Sequence, residues 1–180
     1  MRPLRRPVFL AGEGQSERGY GRWLSKLATQ QGVPIAIRCE GLKGGDPLSL
    51  MEQFLDCLHR AESHRGRYRL RDLILDTDRR GADIERDEIA LARARENGVR
   101  LIWQSPCHEG FLLRHFERLK NHNPPDLKAA LRLLKTAWPS YTKGMDADTY
   151  GRTLSLSHLV TARSVQHELD QFLSDAGWGL

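Results

Sequence analysis

Val8-Phe9-Leu10-Ala11-Gly12-Glu13 and Leu73-Ile74-Leu75-Asp76-Thr77-Asp78 decide the fold of this 180-residue chain. Each is a short apolar run of the kind a strand shows when both faces of a parallel sheet are covered. Each run ends in carboxylates, so Glu13, Asp76 and Asp78 are expected at the carboxyl ends of two strands, where open α/β sheets place their ligands. Residues at i and i+2 of a strand share a face, which would let Asp76 and Asp78 converge on one point. Three carboxylates within about 4 Å repel by roughly 4 kcal/mol per pair at an effective dielectric near 20. Protonation or a hard cation must relieve that repulsion, and a divalent ion of the magnesium type is the natural counter-charge.

Outward from these runs, strand and helix patterns alternate at short spacing, which argues for a parallel sheet with helices on its faces. Pro7 to Gly12 reads as strand one, followed by a helix from about Ser16 to Gln31, with Ser16 as N-cap and Gly32 as stop. Pro34 to Cys39 reads as strand two, a glycine-rich loop spans Gly41 to Pro47, and a helix runs from about Leu48 to His64. Arg71 to Asp76 is strand three, Ile84 to Asn97 a helix and Val99 to Gln104 strand four. Asp83, Glu85, Asp87 and Glu88 suit the positive end of a helix dipole and need no further role.

Beyond Pro106 the pattern turns helical. Cys107-His108-Glu109-Gly110 opens a helix through about Leu119, Asp126 caps another to about Ala137, a loop spans Trp138 to Asp146, and helices from Asp146 and Ser155 run to near Ala176. Glu109 falls just past strand four, on the same sheet edge as the other acids. His108 beside it offers a proton donor or a phosphate contact, against a plain helix-start role. His115, on the apolar side of that helix, reads as a core histidine.

The net charge of +5 and isoelectric point near 9.4 make a polyanionic partner plausible. The densest basic cluster, Arg60, His64, Arg65, Arg67, Arg69 and Arg71 around Tyr68, reads either as a solvated helix end or as a nucleic-acid contact surface. Cys39, Cys57 and Cys107 are odd in number and widely spaced, which argues for reduced, structural thiols. No apolar run approaches the roughly 18 residues of a bilayer span, and the start, Met1 to Pro7, has charges without a signal-peptide apolar segment, so a cytoplasmic setting without membrane contact is expected.

The strand-end glutamate and the aspartate-x-aspartate of a later strand resemble the Toprim domain. The resemblance implies that Glu13, Asp76 and Asp78 hold magnesium or manganese for phosphodiester chemistry, with Glu109 as a further catalytic acid. Ser105-Pro106-Cys107-His108-Glu109-Gly110-Phe111 with Leu113-Arg114-His115-Phe116 resembles the signature of the RloB-like family, a Toprim-related group associated with bacterial restriction and abortive infection. Tyr141-Thr142-Lys143-Gly144 and Ala162-Arg163 are similar to further elements of that family. Ser105 stands where the family tends to have asparagine, and His108 where it has an aromatic.

A Toprim-like (Rossmann-like) α/β domain over residues 1–120, with about four strands, is thus expected, and residues 121–180 form a helical cap packed on it as one compact unit. Arg79, Arg80, Lys143, His108, Arg65 and Arg67 are the candidate phosphate contacts. The activity implied is a metal-dependent nuclease acting on DNA or RNA in anti-phage defence with an ATPase partner. No Walker-type loop is present in this sequence. The alternative is a non-catalytic Toprim-like subunit that binds an ATPase or a nucleic-acid end. A nucleotide-binding flavodoxin-like domain fits less well, because no further close glycine follows Gly12-x-Gly14.

Overall fold

The computed structural model describes residues 5–179; Met1–Leu4, part of the arginine-bearing start, and Leu180 lie outside the described residues. Four strands, β1 (Arg6–Gly12), β2 (Ile35–Gly41), β3 (Leu70–Asp76) and β4 (Arg100–Gln104), form one sheet in the order β2-β1-β3-β4. Every neighbouring pair is parallel, with Leu10 opposite Cys39 on one side and Asp72 on the other. The helices between them are α1 (Gln15–Gln30), α2 (Pro47–Arg65) and α3 (Ile84–Glu96). After β4 follow α4 (His108–Leu113), α5 (Leu127–Ala137), α6 (Ala147–Thr153), α7 (Leu156–Arg163) and α8 (His167–Ala176).

The strand alternation sorts the core. Phe9, Ala11, Leu73 and Leu75 point to the face covered by α2 and α3, where they meet Leu50, Met51, Phe54 and Ala94. Val8, Leu10, Ile74 and Ile102 point to the other face and pack with α1 and with apolar side chains of α4 to α8, such as Tyr150, Leu159 and Phe172. The helices beyond residue 121 therefore complete this second layer. Gly19 shows how closely they approach: a Cβ there would lie 2.0 Å from the Met145 carbonyl oxygen. From β1 the chain turns one way to β2, and from β3 the other way to β4. The connections diverge between β1 and β3, opening a crevice at their carboxyl ends.

Three local expectations are corrected. The first helix starts at Gln15 with Gly14 as its N-cap, and the Ser16 hydroxyl instead accepts the Gly144 amide at 3.0 Å. The helix opened by His108 stops at Leu113, because the Arg114 guanidinium donates to the carbonyls of Lys120 and His122 and to Asn123 Oδ1, folding the chain back. The final helical stretch breaks into α7 and α8, where Gln166 donates its side-chain amide to the Trp103 carbonyl at 2.8 Å and covers that part of β4. Among the described residues no helix is long and apolar enough to cross a membrane.

Candidate functional site

Glu13 leaves the end of β1 and reaches across the crevice: its Oε1 accepts the backbone N–H of Asp76 at 2.8 Å. One hydrogen bond thus ties together two residues 63 positions apart. The expected shared face for Asp76 and Asp78 is corrected. β3 ends at Asp76, and the amides of Thr77 and Asp78 both donate to the Pro106 carbonyl, so the chain turns and Asp78 lies exposed. Its charge nevertheless remains close enough to bear on both Glu13 and Asp76.

Glu17 is a further carboxylate at this edge, one that the sequence pattern marks only as part of a helix start. Its Oε2 accepts the Gly14 amide at 3.0 Å, which closes the first turn of α1, and the side chain is buried. Gly12 makes room for it, since a Cβ at that position would sit 2.2 Å from Glu17 Cβ. Glu109, in the first turn of α4, is also buried; its Oε1 accepts the Tyr141 hydroxyl at 3.1 Å and lies 3.6 Å from Lys143 Nζ.

Asp76 is the electrostatic centre. Burial, followed by the charges of Glu13, Glu17, Asp78 and Glu109, pushes its carboxyl up to about 9, and its Oδ1 is buried without a hydrogen-bond partner. Burial likewise raises Glu13, partly offset by the Asp76 amide. An acid with an unpartnered oxygen among four others is the donor set a hard dication fits. Among the described residues, however, no three His, Cys, Asp or Glu side chains stand together as a preassembled metal-ligand group.

The candidate phosphate contacts divide. Arg79 and Arg80 are exposed in the turn after β3; Arg79 lowers Glu13, while the Arg80 guanidinium lies 4.7 Å from the centre of the Trp103 ring. Lys143 faces Glu109 with more than half of its side chain exposed.

His108 is corrected as a phosphate contact. It is buried, Gln104 Nε2 is 2.9 Å from its Nδ1, and its Nε2 is 2.8 Å from the Tyr150 hydroxyl, which donates to the Ser16 carbonyl. That chain of donors leaves Nδ1 as acceptor and the ring neutral, in keeping with the lowering of its pKa by burial. The 3.7 Å approach of Nδ1 to Glu17 is therefore not an ion pair. Arg65 and Arg67 are not brought to the carboxylates. Arg65 ends α2 and Arg67 follows it just before β3 begins, at the amino edge of the sheet, opposite the carboxylates.

Comparison with curated proteins and with solved structures gives no match. A family model described as RloB-like protein matches residues 8–174. With nearly its whole length covered by that match, the chain belongs to the RloB-like family.

Proposed function

We propose that this chain is a metal-dependent phosphodiester hydrolase acting on nucleic acid, with Asp76 at its centre. The supporting observation is the unpartnered Asp76 Oδ1 among the charges of Glu13, Glu17, Asp78 and Glu109. Asp76, Asp78 and the free oxygen of Glu13 would hold magnesium or manganese. Bound there, the ion would supply charge stabilisation for the phosphate and a lowered pKa for an attacking water. Alternatively, Glu13, raised by burial, would leave the ion to the aspartates and accept the proton of that water with its free oxygen. Glu109, fixed by Tyr141, would orient the water, and Lys143 and Arg79 would bind non-bridging phosphate oxygens. The family association extends the proposal to anti-phage defence, in the cytoplasm, with an ATPase partner.

The rival reading is a non-catalytic subunit that binds an ATPase or a nucleic-acid end. It draws on Glu13, one of whose oxygens is already held by the Asp76 amide. Manganese or magnesium titration against thermal unfolding, followed by cleavage assays on single-stranded DNA, duplex DNA and transfer RNA, separates the two. The hydrolase raises its Tm with metal and cleaves at least one substrate, and Asp76→Ala/Asp78→Ala loses both responses. A native chain that does neither is the scaffold.

A further inference from the structure

β2 is an edge strand of the sheet, and along its outer side runs a groove of about 800 Å3. Ala36 to Glu40 line it in unbroken succession, so the strand's edge forms its floor. Arg18, Arg22 and Lys26 of α1 flank it, together with Arg38 of the strand and Arg65 at the end of α2. Against these five cations stand Glu40, Asp146 and Asp148. All three acids are engaged: Glu40 by Arg38 at 2.8 Å, Asp148 by Lys26 at 2.6 Å, and Asp146 by the Thr149 amide at 2.8 Å. Arg18, Arg22 and Arg65 pair with no carboxylate among the described residues, and the buried Nε of Arg18 has no acceptor.

We propose that this groove is a docking track for a nucleic-acid strand, gripped through its phosphates and running from Arg18, beside the carboxylate edge, to Arg65 at the amino edge. The proposal rests on the nucleic-acid partner of the preceding reading, and not on hydrolysis. Arg18 reaches the carboxyl end of β2, where a Cβ on Gly41 would lie 3.5 Å from its Cδ, so the track begins at the sheet edge that carries the cluster. The five lining residues of β2 at about 3.3 Å each give its floor a length of about 16 Å. Phosphates of one strand advance roughly 3.4 Å each along a duplex axis and lie farther apart through space, so the track spans a few. Guanidinium groups pair phosphate oxygens in a planar fork, and three unpaired ones spread along such a length match a repeating anion. An acidic peptide added to the β2 edge is the competing occupant, but an edge guarded by charged side chains resists strand addition.

The test measures binding of labelled single-stranded RNA, single-stranded DNA and duplex DNA in chelator across a salt series, for the native chain and for Arg18→Gln/Arg22→Gln/Arg65→Gln. Lys128→Gln/Arg132→Gln, on the exposed side of α5, controls for net charge, and circular dichroism checks folding. The groove variant is expected to lose at least tenfold in affinity and to flatten the log–log salt slope by about 2 to 3, at roughly 0.7–0.9 per phosphate contact. The control variant should change neither by more than the loss of two diffuse charges allows. Equal behaviour of the two variants overturns the track, as does a groove variant that keeps its nucleic-acid affinity but loses binding to an acidic peptide. Binding is read in chelator, where metal-dependent cleavage does not run, so a failure of hydrolysis leaves this result legible on its own.

Discussion

Asp72 and Asp76 lie four residues apart on β3, both have pKa values raised above the usual carboxylate range by burial, and they have opposite surroundings. Asp72, fully buried and facing the Arg100 guanidinium at 2.9 Å, is raised to about 7; Arg100 also reaches Asp175 at 2.8 Å. Asp76 has no such cation, and the charges that bear on it most are those of acids. A buried acid supplied with its own counter-charge is part of the architecture, whereas one surrounded by acids is completed from outside. On the proposed reading, the same strand therefore carries an ion-paired acid toward its amino end and a ligand-seeking one at its carboxyl end.

The sharpest break of this contrast is Asp76→Asn. We expect cleavage to fall at least 1,000-fold, about 4 kcal/mol of transition-state stabilisation, and the metal-induced rise in Tm to vanish, while the metal-free protein loses little stability. Steady-state cleavage and thermal melts with and without manganese test this. An Asp76→Asn protein that still cleaves at native rates would place the chemistry elsewhere.

Arg100→Met attacks the other end. It strands Asp72 in the core, and breaking a buried pair in this way costs about 3–5 kcal/mol, or a Tm drop of about 10 °C for a chain of this size. Asp72→Leu/Arg100→Met should recover most of that loss, because removing both charges also removes the desolvation cost. Failure of the double variant to recover would show that Arg100 acts mainly through Asp175 or through packing.

The contrast also has a pH signature. Both acids hold their protons more tightly in the folded state, so the folded protein binds more protons and its stability falls as pH rises. That stabilisation is complete below the unfolded value of about 3.9. It is lost as pH rises through about 7 for Asp72 and through about 9 for Asp76. Urea unfolding without metal should therefore show stability declining from about pH 5 to pH 9, with Asp76→Asn flattening the upper part and Asp72→Asn the lower. Saturating manganese at pH 8 should restore what Asp76 loses. A metal-free profile that rises toward pH 9 would contradict both assignments.

The fold is legible in the sequence because Val8–Ala11 and Leu73–Leu75 are buried on both faces, and a short continuous apolar run bounded by turn residues is what such a strand requires. Glu13 and Asp76 can be placed at one edge for the same reason, since the carboxyl ends of parallel strands share an edge. Glu17 escapes because a first-turn helical glutamate ordinarily faces solvent. Its burial depends on Gly12 and on side chains brought over α1 from far along the chain, such as Tyr150, and nothing in the local pattern encodes that packing. His108 is misplaced for a related reason: its partners Gln104 and Tyr150 come from β4 and α6. Arg65 and Arg67 stand near Asp76 in sequence, yet a strand separates its two ends by its whole length.

Glu109 is the intermediate case and supports the smallest prediction. It is buried like Asp72, but its partners are a neutral hydroxyl and a lysine more than half exposed at 3.6 Å. Tyr141→Phe removes the hydrogen bond to a charged group and should cost about 1.5–3 kcal/mol. Lys143→Met removes only a solvent-screened pair and should shift stability by less than about 1 kcal/mol. If Lys143 serves phosphate rather than Glu109, the methionine variant will raise KM for the nucleic acid several-fold at nearly native Tm. Were Tm to drop as far as in Tyr141→Phe with KM unchanged, Lys143 would instead be the counter-charge of Glu109, and that acid would belong with Asp72.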